Sequence, residues 1–181
     1  MATLAVTCEN GGVLGIVAPL ALAAAAGTAL VVDLDEAGPR YPGGSSLADL
    51  VERGPRLEDL RPGQRGVAVL RNGGVAAAAA ADVVAALVAG WPNTVLRLPS
   101  EQVEVSAPLV PVVPLLPGGM TPEVLGPAVF QQMGWHEKSP GPAVTLPTPP
   151  RTAVAALLSG QIPARCRWLR SWRSVWGLPW V

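Results

Sequence analysis

Hydrophobic and polar positions along this chain fall into blocks that read as alternating strands and helices. Residues 2–7 form a short β-type run, the first strand expected. Asn10, Gly11 and Gly12 mark a turn. Residues 17–26 are alanine-rich and helical in pattern, closed by Gly27 as a C-cap. Residues 29–34 are apolar on both faces, as a strand inside a parallel sheet is. A polar, Gly/Pro-rich loop follows over 35–46, and Ser46 is placed to cap a helix through 47–51. Residues 66–70 predict a third strand, ended by Asn72-Gly73-Gly74. Residues 75–89 predict a helix with Gly90 as its stop, and 94–98 a fourth strand. Residues 109–116 form a fifth apolar run, whose prolines push it toward a sheet edge or a strand end. Strand–helix alternation of this kind predicts βαβ units around a parallel sheet. No internal repeat is visible.

Beyond residue 138 the pattern changes. Residues 139–150 are proline-rich and read as an extended, semi-rigid linker. A short helix is expected over 151–159, ended by Gly160, and a second over 165–176. The organisation expected is an α/β domain over 1–138, the linker, and a basic, tryptophan-rich segment over 151–181.

Residues 13–32 carry no charged side chain, which is long enough for a membrane-spanning helix. Pro19 and Gly27-Thr28 interrupt the run, alanine supplies much of it, and it ends in Asp33, Asp35 and Glu36. Glu9, with no Lys or Arg before the run, does not fit the positive start of a signal peptide. A buried helix followed by a buried strand gives the same hydropathy, and that is the expectation here.

Charge is balanced overall but unevenly spread. Residues 151–181 hold five arginines and no acid, while the other 150 residues hold 8 basic and 13 acidic side chains. A basic segment on an acidic body points to an anionic partner, a membrane surface, or docking onto the chain's own body. Cys8, Cys166 and His136 lack metal-ligand spacing, so no metal and no cofactor is expected. No Ser-His-Asp, Cys-His or paired-carboxylate arrangement supports a hydrolase.

Some local patterns resemble a known family. Gly11-Gly12-Val13 runs into a helix, and the next strand ends in Val32-Asp33-Leu34-Asp35. Ser45-Ser46-Leu47-Ala48-Asp49-Leu50 then looks like a short following helix. Over about the first 115 residues this order resembles the ParA/MinD-type P-loop ATPases, including the atypical CpaE/TadZ-like members. The resemblance implies an α/β, P-loop NTPase-like fold (Rossmann-like, three-layer) with a C-terminal helical Trp-rich tail. It implies a bacterial, cytoplasmic protein, with peripheral attachment to the inner face of the membrane as a further option.

The chemistry of that family is missing. Its phosphate loop reads K-G-G-x-x-G-K-[ST], whereas residues 9–17 contain no lysine, serine or threonine. The only lysine in the chain is Lys138. Asn10 stands where the signature lysine would precede Gly11, and Arg97 lies where a strand usually ends in an acid. Loss of the phosphate cation, the Mg²⁺ hydroxyl and the metal-holding acid removes the electrostatic stabilisation that phosphoryl transfer needs. The expectation is a pseudo-ATPase, not an enzyme, whose degenerate pocket comprises Gly11, Gly12, Asp33 and Asp35. Its role would be a scaffold or positioning factor for a secretion or pilus-assembly machine. Two rivals are a slow nucleotide-binding switch using arginine in place of lysine, and a membrane-associated adaptor. Asp33 and Asp35 could equally cap the following loop. Residues 43–46 could bind an anion or form a turn and an N-cap.

Trp168, Trp172 and Trp176 recur every four residues, with Leu169 and Val175 on the same helical stripe and Trp180 just beyond. Arg167, Arg170 and Arg173 fall outside it. The stripe could pack on the chain's own sheet, or fill a partner's groove with the Trp and Arg side chains as anchors. It could also lie at a membrane interface. A protein partner is the functional expectation, with a homodimer as one form of it. Nucleic acid is disfavoured by the acidic body.

Overall fold

Among the described residues, seven parallel strands form one sheet in the order β3-β2-β4-β1-β5-β6-β7. The computed structural model describes residues 1–8, 12–60, 62–63, 66–99, 105–118, 124, 126–134 and 144–180. The strands are β1 Ala2–Thr7, β2 Ala29–Asp33, β3 Val67–Leu70, β4 Asn93–Arg97, β5 Leu109–Leu115, β6 Val129–Gln132 and β7 Val144–Leu146. The α-helices are α1 Val13–Ala26, α2 Leu47–Arg53, α3 Ala81–Gly90, α4 Arg151–Leu158 and α5 Arg167–Ser171. The fold is a Rossmann-like α/β arrangement.

Side chains alternate across each strand and so build apolar clusters on both faces of the sheet. Leu4, Val6, Ala29, Val31 and Val95 face α1, α4 and α5 on one side. Ala5, Leu30, Val32, Leu96 and Leu98 face α2 and α3 on the other. α1 lies over β4 and is buried nearly all round, which explains a helix without a polar face. It begins four residues earlier than its sequence pattern suggests, and Pro19 sits inside it rather than ending it. Gly27 closes it with φ +89, a backbone state that glycine reaches without a steric penalty. The apolar run over 13–32 is therefore α1 followed by β2. Among the described residues no helix is long and apolar enough to cross a membrane.

Two sequence expectations need correction. β5 is an interior strand, paired with β1 on one side and β6 on the other, despite Pro111 and Pro114. Backbone amides alternate sides along a strand. The Pro108 carbonyl accepts from Ala5 N–H toward β1, and the Leu115 carbonyl accepts from Met133 N–H toward β6. Pro111 thus faces β6 just before that pairing opens at Val112, and Pro114 faces β1 after that pairing has ended at Pro111. Neither ring removes a ladder bond. Second, residues 144–146, inside the stretch expected to be a linker, form β7 and pair with β6. β6 itself was not expected, because a four-residue strand ending in two glutamines carries little pattern.

The C-terminal segment packs on the sheet. Trp168, Trp172 and Trp180 are buried and Trp176 is half-buried against the α1 side of the core. Trp168 and Trp172 meet edge to face with ring centroids 6.0 Å apart. α5 is shorter than the helix expected over 165–176 and passes into a 3₁₀ helix, Trp172–Gly177.

Candidate functional site at the carboxyl ends of β2 and β4

Open parallel sheets present ligand sites beyond the carboxyl ends of their strands. Here that region is occupied by the chain's own charges. The β2–β4 register sets Asp33 directly beside Arg97, on the sheet face that packs against α1. Arg97 Nη1 donates to both Asp33 carboxylate oxygens at 3.1 Å and to the Pro39 carbonyl at 2.8 Å. Its Nη2 donates to Asp35 Oδ2 at 2.6 Å. The Arg97 side chain is 4% exposed and that of Asp33 1%.

The loop after β2 folds itself around these groups. Asp35 N–H donates back to Asp33 Oδ1, and Gly38 N–H donates to Asp35 Oδ1. Gly38 lies so close that a Cβ there would overlap the Asp35 carboxylate and the Arg97 guanidinium, so this position requires glycine. Tyr41 lies under the guanidinium, 5.3 Å from its ring centroid to Cζ, and donates its hydroxyl to the Ile16 carbonyl in the first turns of α1. The Asp33 carbonyl accepts from Asn72 Nδ2, whose Oδ1 takes the N–H groups of Gly74 and Val75. Asn72 thereby ties β2 to the turn after β3.

Two carboxylates and one guanidinium leave the cluster formally one negative charge in excess. Its only cation is spent on internal acceptors. Burial pushes the Asp33 carboxyl up to about 6, opposed by Arg97 and by the Asp35 N–H. The folded chain therefore holds this proton more tightly than the unfolded chain. The resulting stability is fully present below the ordinary value of 3.8 and is lost as pH rises through about 6. The full step is on the order of 3 kcal/mol. Asp33→Asn cannot titrate. The wild-type minus variant difference in unfolding free energy is expected to fall by about that amount from about pH 4 to about pH 7. A difference that stays flat across this window in urea titrations would contradict the assignment.

The other candidates separate from this cluster. Gly12 precedes α1 with φ +45, while Gly11, His136 and Lys138 lie outside the described residues. Ser46 and Asp49 form a capping box, so this stretch behaves as a turn and N-cap that already carries its own acid. Both cysteines are free, and burial pushes the Cys8 thiol up to about 12, where it is a poor nucleophile at neutral pH. Among the described residues no three His, Cys, Asp or Glu side chains gather to hold a metal.

The tryptophans expected as partner anchors are held inside the chain. Trp168 Nε1 donates to Gln131 Oε1, Trp176 Nε1 to the Leu22 carbonyl, and Trp180 Nε1 to the Val175 carbonyl. Arg167, Arg170 and Arg173 stay exposed on the outer surface. Sequence reading singled out Asp33, Asp35 and Arg97 separately. It missed their union, together with Tyr41, Gly38 and Asn72, because only the strand order places β4 beside β2.

Fold and site thus define a parallel-sheet α/β protein with an internal ion cluster at the carboxyl ends of β2 and β4. Comparison with protein-family models, with curated proteins and with solved structures finds no match.

Proposed function

We propose that this chain is a non-catalytic, ParA/MinD-like pseudo-ATPase that acts through protein binding, as a scaffold or positioning factor in a larger bacterial machine. The observation that carries this reading is the closure of Arg97 onto Asp33, Asp35 and Pro39. A triphosphate needs cations and donors at the carboxyl end of the sheet. The cluster offers it an excess carboxylate instead. The same closure counts against a slow nucleotide switch built on arginine, since Arg97 would have to abandon two acids to reach a phosphate. Assignment to secretion or pilus assembly rests on the sequence resemblance alone.

Calorimetric titration with ATP and Mg²⁺ tests the non-catalytic reading. No heat beyond dilution is expected, corresponding to a Kd weaker than about 1 mM. Micromolar binding accompanied by phosphate release would overturn it.

A further inference from the structure

We propose that the cleft between α4 and the start of α5 is a docking groove for an acidic, extended peptide segment of a partner protein. This deepens the protein-binding reading above and rests on it. The cleft has a volume of about 460 Å³. Ala153, Ala156 and Ile162 give it an apolar floor, and Thr152, Arg165 and Arg167 a polar rim. Ile162 is 39% exposed there.

Among the described arginines of the body, Arg40 alone is exposed with no acidic partner, and the others are engaged. Arg53, Arg56 and Arg97 are ion-paired, and Arg71 donates to the Gly44 carbonyl. Arg151, Arg165, Arg167, Arg170 and Arg173 are exposed and have no acidic partner among the described residues. Their own segment contains no acid at all. Guanidinium groups on a groove rim are suited to bidentate pairing with carboxylates.

The shape and composition select the occupant. A free small anion would leave the apolar floor uncovered. A bilayer is flat and takes up tryptophan at its interface, but Trp168, Trp172 and Trp180 are buried in the core. Single-stranded nucleic acid needs exposed aromatic faces for stacking, and the body of the chain is acidic. A peptide with apolar side chains between carboxylates meets both the floor and the rim.

Fluorescence anisotropy on the full chain tests this. The probes are a labelled peptide of Glu-Glu-Leu repeats, its Gln-Gln-Leu and Glu-Glu-Ser counterparts, and vesicles of phosphatidylserine and phosphatidylcholine. The Glu-Glu-Leu peptide is expected to bind tightest, with an affinity that falls as salt rises. Arg165→Glu/Arg167→Glu is expected to weaken it by about tenfold or more, a loss typical of removing desolvated charge pairs. The charge-matched Arg53→Glu/Arg56→Glu control, at the end of α2 on the sheet face opposite α4 and α5, should change it by less than about threefold. Melting curves of both variants check the fold. Equal losses in both variants, equal binding of the serine peptide, or binding to vesicles but not to peptide would overturn the groove. If no peptide binds and ATP also gives no heat, the groove falls while the non-catalytic reading stands.

Discussion

Arg97→Met is expected to destabilise the fold by about 3–5 kcal/mol, the usual cost of removing one partner from a buried ion pair. The loss is large because of what remains. Asp33 is 1% exposed and would either stay charged without a cation or take up a proton, and Asp35, 14% exposed, would lose its 2.6 Å bond. The Pro39 carbonyl would also lose its donor, loosening the loop that carries Tyr41 over α1. Replacing the three charges together, as Asp33→Leu/Asp35→Leu/Arg97→Met, should recover most of the loss, because well-packed apolar groups often match a buried ion cluster. Urea melts of the single and triple variants give both values. A single variant within about 1 kcal/mol of wild type would mean that the cluster is solvated and open.

Trp168→Ala should cost about 3–5 kcal/mol, in the range for truncating a large buried aromatic. It removes a fully buried ring, its edge-to-face contact with Trp172, and the donor to Gln131 Oε1. Gln131 is itself buried on β6, with its amide nitrogen donating to the Pro147 and Gln132 carbonyls. The variant therefore strikes β6 and the approach to β7 as well as the C-terminal helices. Unfolding followed by tryptophan fluorescence and by circular dichroism should show one coincident transition at lower denaturant. A first transition that releases only the C-terminal segment, with the sheet intact, would show instead that this segment is a separable tail.

The parts of this fold that were legible in the sequence share a cause. Residues 2–7, 29–33 and 67–70 are short apolar runs bounded by glycine or polar turns, and all three are strands. Ser46, expected as an N-cap, does cap α2. Rules that act over a few residues suffice for these. Pro111 and Pro114 misled because their missing donors matter only relative to neighbouring strands, and those neighbours are set by the sheet order. Gln131 was not singled out, for a related reason. A buried glutamine looks like a surface residue until Trp168, 37 positions away, donates its indole N–H to the Gln131 side-chain oxygen. The pairing of Asp33 with Arg97 spans 64 positions and was likewise out of reach of local pattern.

The functional reading depends on where the Arg97 side chain points when phosphate is offered. Crystals grown with Mg²⁺ and a non-hydrolysable ATP analogue address that directly. The expected result is Arg97 still between Asp33 and Asp35, with no triphosphate density beyond the carboxyl ends of β2 and β4. An Arg97 guanidinium turned out of the cluster onto an ordered phosphate, with Mg²⁺ taken up by the freed carboxylates, would contradict it.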